Sequence, residues 1–263
     1  MGAAGPALRL EPGVLANGGA MGVAEEITDW IREQTGEAGA RGAVFGLSGG
    51  LDSSVVGALC KNALGESVLG VLLPCHGDPR EADDAVLVAD RFEIPTVSVD
   101  LGGVLDALLG LLPEGRGLAA ANLRPRLRMA VLYYFANDRG YLVVGTGNKS
   151  EISVGYFTKF GDGAADILPL AQIYKTDLAP IARELGVPPG IIEKPPSAGL
   201  WEGQTDEGEM GITYRELDSV LKALEEGRNP EAPVEVVERV LAMMRASEHK
   251  RQTPPRFFPV AVG

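Results

Sequence analysis

Cysteine is almost absent from this chain, with Cys60 and Cys75 the whole complement. They form no C-x-x-C pair, which excludes a disulfide scaffold and the common structural zinc arrangements and points to a reducing cytoplasm. Long apolar runs are missing as well. No stretch approaches the roughly 18 uninterrupted apolar residues of a membrane span, so no membrane partner is expected. Residues 1–20, rich in Gly and Ala, lack the basic start and apolar core of a signal peptide. They read as a loose arm ahead of one domain over 21–263. Basic residues are in deficit, 24 against 36 acidic for a net charge of -12. That balance argues against nucleic acid as a partner, since binding it needs cations to replace phosphate counterions. It also requires the cations that serve any polyanionic substrate to be few and clustered. No Gly-Lys pair occurs anywhere, so there is no Walker A loop, and a kinase or GTPase of that class is disfavoured.

What is present is an ordinary globular composition, 45% hydrophobic and 23% charged over 263 residues, with ample material for a core. Short apolar runs rich in β-branched residues at 43–47, 67–73, 96–99 and 141–145 alternate with helical patterns at 23–35, 53–64, 81–92, 104–111, 118–139, 175–185, 214–226 and 233–247. The alternation predicts an α/β fold: a doubly wound, mostly parallel sheet with helices on both faces. Such sheets bind ligands beyond the carboxyl ends of their strands. Over 155–211 glycines and prolines break the periodicity, and a loop region that long in a compact domain is usually functional or disordered.

The most informative segment is Gly46-Leu47-Ser48-Gly49-Gly50-Leu51-Asp52-Ser53-Ser54, which lies between the first strand and a helix. Glycines let backbone approach an anion, serines and successive N–H groups supply donors, and the helix dipole adds attraction. Asp52 can hold a magnesium ion against phosphates. The Ser-Gly-Gly-x-Asp-Ser pattern resembles the pyrophosphate loop of the N-type ATP pyrophosphatases, whose fold is of the adenine nucleotide alpha hydrolase, Rossmann-like kind. A second strand ends on Val144-Gly145-Thr146-Gly147-Asn148-Lys149-Ser150-Glu151, followed by Phe157-Thr158-Lys159-Phe160-Gly161-Asp162-Gly163-Ala164-Ala165-Asp166. Near the end lies Glu248-His249-Lys250-Arg251-Gln252. Together these runs resemble ammonia-dependent NAD synthetase, over about residues 24–258.

The resemblance implies amidation of deamido-NAD with ammonia, driven by ATP cleavage to AMP and pyrophosphate through an NAD-adenylate. It implies that Gly46 to Ser53, Thr146, Lys175 and Ser197 contact ATP, and that Asp52 and Glu151 hold Mg2+. Arg126, Lys159, Asp166, His249 and Lys250 would then hold deamido-NAD. Ser197 stands where many members carry threonine, so its hydroxyl is kept. Residues 199–207 are expected to be a lid that keeps water from the adenylate, with Trp201 either part of it or plain packing. Asp166 is also the expected proton acceptor for ammonium, because an ionised carboxylate accepts. No cysteine-led amidotransferase segment is found, so free ammonia is the expected nitrogen source. The helix over 118–139 has apolar surface to spare, which fits the family's homodimer or burial on the sheet. Cys75 and His76, adjacent on an extended segment, point apart and are not expected to act as a pair. Two other readings stay open: another adenylating pyrophosphatase, GMP-synthetase-like or tRNA-modifying, and a non-catalytic nucleotide sensor.

Overall fold

Ala43-Val44-Phe45 is apolar at every position, as a strand covered on both faces must be. In the computed structural model, which describes residues 19–76, 79–115, 117–197 and 204–257, it is the centre of the sheet. Strand β1 (Ala43–Gly46) pairs in parallel with β2 (Val68–Leu72) and with β4 (Leu142–Val143), and β2 pairs in parallel with β3 (Thr96–Ser98). The order β3-β2-β1-β4 means that the chain builds outward from β1 on one side and then crosses to its other side. The strand order therefore reverses between β1 and β4, the switch point at which open α/β sheets take ligands.

The helices form two layers. Ala43 and Phe45 of β1 and Val68 and Leu72 of β2 face one apolar cluster. Helices α1 (Gly19–Glu37), α2 (Leu51–Leu64), α3 (Pro79–Phe92) and α8 (Lys175–Leu185) pack on that side. Val44, Leu69 and Val71 point the other way, to a cluster shared with α4 (Gly102–Leu111) and α6 (Leu123–Arg139). Period-two alternation along the strands thus fills both faces. Beside this sandwich, a third apolar cluster joins α7 (Lys149–Val154) to α10 (Asp206–Met210), α11 (Tyr214–Glu225) and α12 (Val234–Ala246), which runs into a 3-10 turn at Glu248–Lys250. Among the described residues no helix is long and apolar enough to cross a membrane.

Several expectations need adjusting. Helix α1 begins at Gly19, so the last two positions of the expected arm are helical, while residues 1–18 lie outside the described residues. The helix expected over 118–139 is broken into α5 (Gly117–Ala121) and α6. Pro125 is the reason: it has no N–H to give the carbonyl of Ala121, four residues back, so the ladder fails at Asn122. Within 155–211, taken as loose, α9 (Pro189–Ile192) and α10 also form. The strand expected over 141–145 shortens to β4. Beyond it Val144 bridges Ile167 instead, and Gly145 N–H donates to the Ile167 carbonyl.

Candidate active site

Strand β1 and helix α2 are joined by a turn that closes on itself. Ser53 Oγ and Ser54 Oγ donate to the Gly50 carbonyl at 3.0 and 2.7 Å, and Ser48 Oγ lies 3.0 Å from Ser53 Oγ. The serines expected to reach an anion are thus first of all bracing the loop. Gly49 sits at φ +76, a left-handed conformation that favours glycine. Gly50 caps α2 with no side chain, which leaves the first-turn N–H groups without a capping oxygen. Leu47 is buried and anchors the turn through its N–H to the Val71 carbonyl.

Asp52 rises from this turn and meets residues from across the switch point. Its Oδ2 lies 2.5 Å from Lys175 Nζ, with the two side chains 15% and 9% exposed, and Asn148 Nδ2 donates to the same oxygen at 3.4 Å. Its Oδ1 is buried and has no hydrogen-bond partner. Glu151, on α7 at the exit of β4, is pushed up to about 8, first by burial and next by the Asp52 charge, with Lys175 opposing. The Lys175 ammonium is held above its usual range: burial, the largest single influence, opposes its charge, but Asp52 and Glu151 together outweigh burial. Two crowded carboxylates, one with a buried oxygen left unbonded, are what a hard cation with oxygen ligands requires. Among the described residues no three His, Cys, Asp or Glu side chains are arranged around a metal. A pair suits Mg2+, which keeps waters and takes substrate phosphates for its remaining positions.

Glu151 also serves the helix it starts. Asn148 Oδ1 accepts from Glu151 N–H, and Glu151 Oε2 accepts from Asn148 N–H, a reciprocal capping box. The N-x-x-E spacing was available in the sequence as a signal for Asn148, which had not been singled out. Asp206 is a second omission. It is 4% exposed and accepts from Tyr214 and Tyr156 hydroxyls at 3.0 and 3.3 Å. Burial, most of all, raises its carboxyl, while Lys175 counteracts this. It follows the part of the expected lid that lies outside the described residues and is brought in only by folding, so no local pattern marks it. Residues 198–203, including Trp201, lie outside the described residues; of the lid, Thr205 is seen capping α10.

The residues expected on the dinucleotide come together from three distant stretches. Arg126 Nη2 donates to the Lys159 carbonyl at 3.4 Å, and Lys159 Nζ to the His249 carbonyl at 2.6 Å. Lys250 Nζ donates to the carbonyls of Gly155 and Phe157, both at 2.7 Å, and burial draws its ammonium below the usual range. Lys250 thus ties the C-terminal segment to α7 and is not a free hand toward solvent. Arg126 and His249 are exposed. Asp166 is exposed too but engaged apart from Asp52 and Glu151: Val143 N–H donates to it at 2.7 Å and the Tyr133 hydroxyl at 3.2 Å. Thr146 is half-buried at the exit of β4, and Ser197 is exposed. Cys75 is fully buried, while His76 bonds Asp106 at 2.9 Å, so the two form no pair.

A glycine turn and two carboxylates facing a lysine across the switch point of a parallel sheet define a nucleotide-handling α/β protein of the ATP pyrophosphatase kind. The NAD synthase family profile matches residues 23–254. The NH(3)-dependent NAD(+) synthetase of Carboxydothermus hydrogenoformans is 46% identical over 88% of this chain and 94% of its own length. Among solved structures, an NMN synthetase from Francisella tularensis superposes with a TM-score of 0.84 at 34% identity, over 92% of this chain and all of that one. An NH3-dependent NAD synthetase from Campylobacter jejuni does so with 0.79 at 27%, over 91% and 99%. The chain belongs to the NAD synthase family.

Proposed function

We propose that this protein amidates deamido-NAD with ammonia to give NAD, cleaving ATP to AMP and pyrophosphate. The observation that carries this reading is the convergence of Asp52, Glu151 and Lys175 over the uncapped start of α2. A carboxylate is a poor electrophile, so it must first be activated. An oxygen of the nicotinate carboxylate attacks the α-phosphorus, the α–β bridging P–O bond breaks, and pyrophosphate leaves. The Gly46 to Ser53 backbone would receive that charge with preorganised donors, and Thr146 and Ser197 would add hydroxyl contacts to ATP. Mg2+, held by Asp52 and Glu151, would neutralise phosphate charge and align the displacement. Lys175, which pairs with Asp52 in the free protein, would supply its ammonium to the phosphates. Ammonia nitrogen then attacks the acyl carbon, the bond to AMP breaks, and a proton passes from nitrogen to Asp166. Arg126, Lys159 and His249 would orient the dinucleotide so that its carboxylate faces the α-phosphorus, with Lys250 holding the segment that carries His249 against α7.

Two assembly features belong to the same proposal. Leu109, Leu111, Leu112, Leu118 and Tyr134 are exposed on the α4–α6 side, an apolar face suited to a second copy of the chain. We place the protein in the cytoplasm, where its two free, buried thiols stay reduced. Incubation with ATP, Mg2+, ammonium and deamido-NAD should release AMP, not ADP, in step with NAD. A parallel reaction with nicotinate mononucleotide tests whether the smaller substrate is preferred, the activity named for the Francisella relative. ADP as product, or ATP cleavage without amide formation on either substrate, refutes the reading. A scattering mass of one subunit refutes the dimer.

A further inference from the structure

Helix α11 lies behind the site, yet one of its carboxylates bonds the residue next to each of two charged groups there, Glu151 and Lys175. Asp218 is 2% exposed among Leu217, Leu221 and Tyr214, which are themselves buried. Its two oxygens are fully used. Oδ1 accepts from Ser150 Oγ at 2.5 Å, and Oδ2 accepts from Thr176 N–H at 3.0 Å and Thr176 Oγ1 at 2.8 Å. Ser150 Oγ in turn accepts from Lys175 N–H at 2.9 Å. Ser150 precedes Glu151, and Thr176 follows Lys175. A single buried carboxylate therefore clamps the first turns of α7 and α8 at the residues next to the two groups that face Asp52.

Packing alone does not call for a charge here. A buried carboxylate is costly unless fully hydrogen-bonded, and an apolar side chain of the same volume would pack as well among leucines. What the carboxylate adds is geometry: three donors from two helices converge on it, and they fix the separation and rotation of α7 against α8. Side-chain networks of this kind, one step behind metal-holding groups, orient those groups.

We infer that Asp218 is a positioning residue for the phosphate and metal end of the site, setting Glu151 and Lys175 in register through Ser150 and Thr176. The inference rests on the reading of Asp52 and Glu151 as metal-holding groups given above. Asp218→Asn keeps the volume and the acceptor for Ser150 but turns an NH2 group against the Thr176 N–H. Binding of Mn2+ with α,β-methylene-ATP, followed by the paramagnetic signal, should weaken by about 10- to 100-fold, and kcat should fall by a similar factor. KM for deamido-NAD should stay within about 3-fold, since Arg126 and Lys159 are held by other contacts.

Leu217→Ala, on the same helix, provides a control of comparable instability: it should lower the melting temperature and leave Mn2+ binding unchanged. If Asp218→Asn binds Mn2+ like the parent while Asp52→Ala does not, Asp218 is only a packing element and the inference fails. If Asp52→Ala also binds Mn2+ like the parent, the metal reading itself fails and takes the inference with it. Should Asp218→Asn not fold, Ser150→Ala, which removes one donor and the acceptor for Lys175 N–H, must weaken Mn2+ binding in the same direction. Unchanged binding in that variant is equally fatal.

Discussion

Replacing Lys175 with methionine removes the charge that holds Asp52 and Glu151 together before any substrate arrives. The pair it breaks is 2.5 Å long with its side chains 9% and 15% exposed, so solvent does little to screen it. Removing one partner of a buried ion pair costs about 3–5 kcal/mol, because the other charge is left uncompensated. Here the cost is limited, since the carboxylates can take up protons: Glu151 already titrates near 8 under burial and the Asp52 charge. We expect a loss of roughly 2–4 kcal/mol at neutral pH, which for a domain of this size lowers Tm by on the order of 10 °C.

The metal sharpens the test. In the parent, the Lys175 ammonium already sits on Asp52 and would repel any Mg2+ that the carboxylates hold, whereas in Lys175→Met that competing cation is gone. Mg2+ without nucleotide should therefore raise Tm more in the variant than in the parent, the extra stability at saturation being RT ln of the ratio of the two Kd values, about 1.4 kcal/mol for a tenfold ratio. Stabilisation by ATP should shrink, because a cation for the phosphates is gone. Scanning calorimetry with and without Mg2+ reads both effects. A variant that melts with the parent, or that gains no more from Mg2+ than the parent does, refutes the account of Lys175 as the stand-in cation.

The other expectations are shorter. Gly155 sits at φ +68, and a Cβ there would lie 2.1 Å from Ser247 Cβ. Gly155→Ala should cost roughly 2–5 kcal/mol from backbone and overpacking, and should raise KM for deamido-NAD by displacing the segment that carries His249 and Lys250; unchanged steady-state constants would count against that segment's role. Because the folded Glu151 carboxyl titrates near 8 and an unfolded one near 4.5, the native metal-free protein binds the extra proton across that interval. Its stability should fall as pH rises from about 5 to 8, by at most about 1.4 kcal/mol per pH unit, and a melting temperature that climbs in metal-free buffer would contradict this. Exposed Arg126 predicts that KM for deamido-NAD rises with salt as the Debye length shortens to about 8 Å near physiological ionic strength; a salt-independent KM in a titration with sodium chloride would remove its electrostatic part.

The sheet and the phosphate turn were legible because both are local. A continuous apolar triplet at 43–45, then glycines, then a helical pattern states a strand, a close turn and a helix within twenty residues, and β1, Gly46–Ser53 and α2 follow. The place of Glu151 at a strand exit was legible, and the spacing from Asn148 marks its helix-capping part, which the structure shows. Lys175 was legible as a cation but not as the partner of Asp52, 123 positions away. Nothing local marks Asp206 or Asp218, because their meaning arises only when α10 and α11 fold back against α7 and α8. The break at Asn122 was missed for a different reason. The apolar period continues through it, and the interruption comes from one absent N–H on Pro125.

The charge balance explains how a protein with net charge -12 can serve two anionic substrates. At the dinucleotide end, Arg126, Lys159 and Lys250 donate to main-chain carbonyls. A carbonyl orients a cation without cancelling its charge, so that end keeps its positive potential. At the ATP end Lys175 is matched by Asp52 and outnumbered once Glu151 is ionised. Under the proposed assignment the protein's own charge there is unfavourable to a triphosphate, and a divalent cation brought with the nucleotide would reverse it. On the proposed assignment the dinucleotide end would attract its substrate with the protein's own cations, while the ATP end would need metal. Metal and nucleotide would then bind with positive coupling, since the cation removes the repulsion that hinders ATP and, by linkage, bound ATP tightens the cation to the same degree.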